Sequence, residues 1–452
     1  MTTLSQFVEQ FIPCPRVIEC PKMEIVSGGA LAEVCFVGSG EIRMPSNNKF
    51  EYVMHARPTE IPHLGQLMKR AESLQNDANA QFKLLVTDYR GNEWNCGYIP
   101  VHLGDSVSGT FRVAGEISSL LGGTSGWRTS KDKSVEVIFD RKLRLPLPMN
   151  MTTRVHRDGE EVLLSHQSGK SEINALGTKI ELFNDAEHEI VWGIAKTSSE
   201  FPHPYAENWI SEPLSMLLGE LAYPRLVARN FGDGTASVWV RRAPGRAADS
   251  LFACVLEEDP LSASERFWNL YQDLITLIAT SRDGKGNLHF EANPLSRFYQ
   301  EIIQSSAATN WIICMTLSSA VEGILKLIVP ADQWRSERPD SALTSIKDHI
   351  AAWQGNSEIK GRVLESVGLL ARKGAVAVLS SLATEGGFAR EHVAAWKSVR
   401  NQVMHGNLVS PWLDDELHNK MNLLIELTHK LSKLYVSRFL EAEGRQGYEM
   451  SN

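Results

Sequence analysis

The prevailing hydrophobic period of this chain changes from that of strands to that of helices close to residue 242, and a change of period means a change of architecture. Up to that point apolar residues alternate over short runs divided by turn residues. Phe82, Leu84 and Val86 share one side of a run that ends at Arg90-Gly91-Asn92. Val155 is followed across Asp158-Gly159 by Val162, and Ile180 and Leu182 are followed across Asn184-Asp185 by Ile190 and Trp192. A two-residue period puts alternate side chains on one face, so these runs predict half-buried strands linked by hairpins. Gly28-Gly29, Gly38-Ser39-Gly40 and Gly122-Gly123 read as turns beside strands. Helices are expected near residues 61–74 and 207–221, and a last hairpin over 226–240 turns at Gly232-Asp233-Gly234. The five tryptophans of this part, Trp94, Trp127, Trp192, Trp209 and Trp239, are expected to fill its core. The prediction for residues 1–245 is a β-rich sandwich or barrel-like region.

Arg241-Arg242-Ala243-Pro244-Gly245-Arg246 reads as the boundary. Beyond it Ser262-Ala263-Ser264-Glu265 matches a capping box, in which a serine hydroxyl and a glutamate carboxylate satisfy the free amides of a helix start. Phe267, Leu270, Tyr271, Leu274, Ile275 and Ile278 then form one apolar stripe. Further helices are predicted at 295–305, 311–328, 341–353, 358–382, 389–405 and 414–440. Leu417, Met421, Leu424, Thr428, Leu431 and Tyr435 in the last advance by fours and threes, the spacing of a helix–helix seam. An all-α bundle over residues 260–445 follows, which makes the whole an α+β multidomain chain.

A length of 452 residues exceeds one ordinary core, in keeping with this division. No apolar run reaches the roughly 20 residues of a membrane span, and the first twelve residues lack the basic-then-apolar layout of a signal peptide. A cytoplasmic protein without a membrane partner is expected. The six cysteines are scattered, with no C-x2-C pair to suggest zinc, and free buried thiols are the expectation. A net charge of −8 argues against a protein that coats nucleic acid, since phosphate binding needs clustered Lys and Arg. The acidity is uneven: residues 262–452 hold 20 of the 46 basic and 21 of the 54 acidic residues, so the excess lies upstream. The helical part is neutral enough to carry a local basic site.

One short motif stands out in that part, Arg400-Asn401-Gln402-Val403-Met404-His405. An arginine followed by a histidine after four to six residues is weak evidence by itself, because chance supplies about two such pairs in a chain of this composition. Three occur. Arg57 and His63 bracket two prolines, Arg282 and His289 span a glycine loop, and only Arg400 and His405 lie on a predicted helix. With Asn401 directly after the arginine, this segment resembles the catalytic motif of the HEPN superfamily of ribonucleases. The β-rich part followed by a helical one is most similar to the Apea-like HEPN group of prokaryotic antiviral proteins. The stretch 208–219, Arg225-Leu226-Val227-Ala228-Arg229, and the helix 311–328 with Glu322 add to the likeness.

The resemblance implies a metal-independent endoribonuclease of abortive infection that needs no cofactor. Its partners would be an RNA substrate, a viral trigger sensed by the N-terminal region, and a second copy of the chain in a homodimer or higher oligomer. Such cleavage proceeds by attack of the ribose 2′-hydroxyl and leaves 2′,3′-cyclic phosphate and 5′-hydroxyl ends. Histidine suits proton transfer near neutrality, so His405 takes that role, and the permanently charged fork of Arg400 suits the phosphate. Asn401 and Glu322 are further catalytic candidates, Glu322 by orienting Arg400 or His405, and Lys397 is a candidate RNA contact. A non-catalytic HEPN scaffold that binds RNA, a nucleotide or a protein is the alternative. Helix geometry sets a constraint: Asn401 and His405 share a face, whereas Arg400 lies about 140° round from His405. Gly406 is expected to end the helix and leave His405 at its terminus.

Overall fold

The computed structural model describes the chain except for residues 1, 13, 28–32, 60–81, 124–126, 128, 140–142, 148–150, 158–159, 167–168, 186, 244–251, 257–260, 284, 290–292, 335–339, 371–372, 384, 408, 411, 413 and 445–452. The helix expected over 61–74 and the Gly28-Gly29 turn lie outside the described residues. The chain forms two compact units, Met1–Leu214 with Ala222–Arg246, and Ser215–Leu221 with Ala247–Asn452.

The first unit is built on one antiparallel sheet. Its strands are β1 (Arg16–Ser27), β2 (Val34–Ser46), β3 (Lys49–Pro58), β4 (Phe82–Thr87), β5 (Glu93–Ile99), β6 (His102–Val107), β7 (Thr110–Glu116), β8 (Ser119–Gly123) and β9 (Ser134–Phe139). After the separate hairpin β10 (Met151–Arg157) and β11 (Glu160–His166) come β12 (Lys170–Ala175), β13 (Thr178–Asp185), β14 (Ile190–Lys196), β15 (Pro224–Asn230) and β16 (Ala236–Arg241). The order across the sheet of 14 strands is β12-β13-β14-β9-β15-β16-β8-β5-β4-β1-β2-β3-β7-β6.

Connectivity forces this sheet to roll. β7 and β8 stand six places apart, about 29 Å across a flat sheet at strand spacing. Yet only Ile117 and Ser118 join them, a reach of about 11 Å at most. Rolling also lets the β15 residue Arg225 lay its guanidinium 4.3 Å from the centre of the Phe50 ring in β3, and lets Ala243 N–H donate to the Asn47 carbonyl at 2.8 Å. The side chains on the inner face, among them Ile25, Phe36, Tyr52, Leu84, Val113 and Val238, form one apolar core.

Two glycine readings are corrected here. Gly38 and Gly40 lie inside β2, and Gly122 lies inside β8, so none of them is a turn. At Gly122 a Cβ would meet the Trp127 ring at 2.6 Å and the Trp94 ring at 2.8 Å; the strand has a glycine because two indoles cover it. Trp94, Trp192 and Trp209 are buried and Trp127 packs half-buried against the core, but Trp239 does not fill it: it lies half-buried on the face of β16 opposite Val238 and Val240, under the guanidinium groups of Arg229 and Arg241.

Among the described residues the N-terminal part of the sequence has the α-helices α1 (Val8–Phe11) and α2 (Ala206–Leu218). The second unit holds α3 (Ser264–Thr280), α4 (Pro294–Ser305), α5 (Asn310–Ile328), α6 (Asp340–Ala352), α7 (Ser357–Leu369), α8 (Ala375–Leu382), α9 (Arg390–Met404) and α10 (Asp415–Ala442). The single helix expected over 358–382 is thus two, parted before Gly374, whose extended backbone (φ −70°, ψ 153°) starts α8. The capping box is also misplaced: Ala263, which has no side-chain acceptor, occupies the N-cap of α3. Asn293 caps α4 with Pro294 as its first helical residue, and Asp414 caps α10 by accepting the Leu417 amide at 2.7 Å.

At 19 residues α5 is long and apolar enough to cross a membrane. Nine of its residues, including Ile313, Leu317, Val321 and Leu325, are instead buried against neighbouring helices, which makes it the unit's core helix. The α10 seam residues Leu417, Met421, Leu424, Thr428 and Leu431 are buried in the same core.

Candidate functional site

The Arg400 to His405 motif closes α9, and two ladders of residues on that helix decide what the motif can do. Positions four apart lie about one turn apart on one face. His392, Trp396 and Arg400 form such a ladder, turned inward. The His392 Nδ1 accepts the Ala389 N–H at 3.1 Å, and its Nε2 lies 3.1 Å from Glu426 Oε2 of α10. The fully buried Trp396 donates from Nε1 to the Ser318 carbonyl of α5 at 3.1 Å. Arg400 donates from Nε to Glu322 Oε2 at 3.1 Å, with its guanidinium 5.6 Å from the Trp396 ring centre. The arginine therefore folds back along its own helix and ties α9 to α5.

The second ladder, Lys397, Asn401 and His405, is about 100° round the axis and exposed throughout. His405 is the last residue before the chain turns away, with φ −89° and ψ 7°. Gly406 takes φ +70°, its N–H donates to the Val403 carbonyl at 3.2 Å, and the Asn407 N–H donates to the Gln402 carbonyl at 3.0 Å. These two bonds are the Schellman closure, and the left-handed residue it needs is the reason for a glycine there. Nothing packs where a Gly406 side chain would stand, so the constraint is backbone conformation and not space.

Electrostatics separate the members further. Glu322 also accepts from Lys326 Nζ at 3.0 Å, one turn along α5. Burial alone would raise the Glu322 carboxyl, but hydrogen bonds from Lys326 and Arg400 outweigh it and hold the group below the usual carboxylate range. Glu322 is thus an anion at neutral pH that fixes one edge of the guanidinium. The side chain of Arg400 remains 35% exposed, which leaves its outer amino groups open to solvent and to an incoming anion.

Of the residues singled out in the sequence, the structure joins Arg400 to Glu322 and lines up Asn401 with His405 and Lys397. Among the described residues no hydrogen bond or ion pair connects Arg400 with His405, and none reaches the His405 imidazole. Sequence reasoning missed the inward ladder, although the i, i+4, i+8 spacing of His392, Trp396 and Arg400 was there to be read. It also gave no role to His429. That residue is buried in α10, with Nδ1 3.0 Å from the Tyr299 hydroxyl and Nε2 3.0 Å from the Ala253 carbonyl. Both ring nitrogens are used within the core, so His429 is a structural group. Among the described residues no cluster of His, Cys, Asp and Glu is fit to hold a metal ion.

No family model, curated protein or solved structure matches the chain.

Proposed function

We propose that the helical unit is a metal-independent endoribonuclease of the HEPN type, acting in the cytoplasm in antiviral defence, with the β-rich unit sensing the trigger that controls it. One observation carries the reading. Arg400 is anchored on its inner edge by Glu322 and open on its outer edge, next to an exposed ladder that ends in His405 at a capped helix terminus. A fixed cation and a solvent-facing imidazole are the groups that cleavage of RNA by its own 2′-hydroxyl requires, once both reach one phosphate. Arg400 binds the phosphate and stabilises the charge of the phosphorane. His405 transfers a proton, Asn401 orients the ribose or phosphate from the same face, and Lys397 contacts the next phosphate along the strand.

Arg400 and His405 lie about 140° apart round the helix axis, so one helix does not aim both at the same atom. A second copy of the chain that supplies the complementary residue meets this requirement, as does a swing of His405 about the Gly406 joint. The Glu322 ion pair also favours the second reading, a scaffold that binds without cleaving, because it already neutralises the arginine. Incubation of purified protein with single-stranded RNA separates the two. Cleavage lost in both His405→Ala and Arg400→Ala, with products ending in 2′,3′-cyclic phosphate, supports the nuclease. Binding that persists in His405→Ala, with no cleavage by the wild type, supports the scaffold.

A further inference from the structure

The helices α6 and α7 form a hairpin that buries almost nothing. Of residues 341–368, only Leu343 and Val367 are buried. Each helix is 13 residues long, a length at which isolated helices are marginal in water, so packing has to hold them. The packing seen is too small for that.

The apolar residues are nonetheless arranged to pack. Leu343, Ile346, Ile350 and Trp353 advance along and just past α6 by three, four and three residues, and Ile359, Val363, Val367 and Leu370 advance along and just past α7 by four, four and three. Each set falls within an arc of about 80° on its helix. Ile346, Trp353, Ile359, Val363 and Leu370 are between 40% and 53% exposed. Together they leave roughly 450 Å² of apolar surface open, the size of a whole typical patch on a monomer, concentrated on two short helices. The turn between the helices is built around one of them, since a Cβ at Gly355 would stand 2.0 Å from the Trp353 ring.

We infer that this hairpin is a self-association surface, packing against the same hairpin of a second copy of the chain to make a four-helix arrangement. Charge selects that occupant. Between residues 341 and 368 there are three basic residues, Lys347, Lys360 and Arg362, and three acidic ones, Asp348, Glu358 and Glu365. A surface for RNA or for an acidic membrane would be predominantly basic. A balanced set, with Glu358 and Arg362 already paired at 2.8 Å on α7, leaves no net charge to repel a second copy across a two-fold axis, where each residue meets the other copy's patch in reverse. The number of seams agrees, because two stripes from each copy supply the four that a closed bundle needs. The area agrees as well. Two copies would cover about 900 Å² of apolar surface, and at the roughly 60% apolar share of an interface this implies about 1,500 Å² in all, within the ~1,200–2,000 Å² of a specific one. The inference stands apart from the nuclease reading and holds whether or not Arg400 and His405 cleave RNA.

The test compares the full-length chain with Ile359→Glu and Ile346→Lys by sedimentation velocity over a wide concentration range, with hydrogen exchange read on residues 341–368. Both substitutions fall on exposed positions, and circular dichroism checks that each variant remains folded. The expected result is a wild-type dimer whose hairpin amides lose protection on dilution, and a dissociation constant raised about a hundred-fold or more in each variant. A wild type that stays monomeric at every concentration overturns the inference. So do a dimer that both variants leave intact and hairpin amides whose protection ignores dilution. If Ile359→Glu alone fails to fold, Ile346→Lys decides.

Discussion

Acidification should destabilise the helical unit in a way that traces to one residue. His429 is completely enclosed, and burial first, then the nearby Lys433 charge, push its pKa down from 6.5 to about 3. Between those values the unfolded chain binds a proton at this imidazole and the folded chain does not. The stability of the neutral, buried imidazole is therefore fully present above about pH 6.5 and declines as the pH falls toward 3. At 1.36 kcal/mol per unit, the loss is roughly 2.7 kcal/mol by about pH 4.5 and at most about 5 kcal/mol. Those amounts compare with the 5–15 kcal/mol that typically holds a domain together, so the effect is measurable. The assay is denaturant unfolding of the wild type and of His429→Gln across about pH 7 to 4.5, followed by far-ultraviolet circular dichroism. Glutamine leaves the Tyr299 and Ala253 contacts imperfect and lowers stability at every pH, but it carries no proton to gain. The difference between the two proteins should shrink by about 1.4 kcal/mol per pH unit below 6.5. Curves that stay parallel would refute the argument, because they would mean that His429 titrates alike in both states.

Other expectations concern the motif helix. Trp396→Ala removes a fully buried indole and its bond to Ser318, and should cost about 3–5 kcal/mol in the same unfolding assay; a loss under 1 kcal/mol would mean the ring is not a core group. Gly406→Ala places a Cβ on a residue at φ +70° and should cost about 1 kcal/mol with the fold intact, while Asn407→Ala, outside that conformation, should be nearly neutral. The Arg400–Glu322 pair should persist above the ordinary carboxylate range and be lost as the pH falls through the lowered Glu322 value. Nuclear magnetic resonance of the Arg400 Nε–H reports this directly, as a resonance that moves at low pH in the wild type and is already at its shifted position in Glu322→Ala.

Sequence periodicity located most of this architecture, for reasons visible in particular elements. Ile180 and Leu182 alternate because one face of β13 is buried, whereas Ile190 to Gly193 of β14 are buried on both faces, and the seam of α10 steps by fours and threes because its buried residues lie toward one side. What escaped were features set by distant contacts. Gly122 looks like a turn residue until the rings of Trp94 and Trp127 are known to lie over it. The roll of the sheet depends on the two-residue link from β7 to β8, which has meaning only once the pairing order is known. The break before Gly374 lies in an otherwise helical pattern, since glycine inside a helix costs only about 1 kcal/mol and tertiary packing decides whether the chain continues. At the candidate site, the helical angle between Arg400 and His405 and the terminus at Gly406 could be read from spacing alone. The pairing of Arg400 with Glu322 could not, because it joins residues 78 positions apart on two helices.

The central claim is that Arg400 and His405 cleave RNA, and sequencing of cellular RNA ends after induction of the protein tests it most directly. Wild type, His405→Ala and Arg400→Ala are compared at equal expression. The account predicts new internal ends bearing 2′,3′-cyclic phosphate and 5′-hydroxyl groups in the wild type, and background levels in both variants. Equal numbers of such ends in wild type and His405→Ala would contradict it.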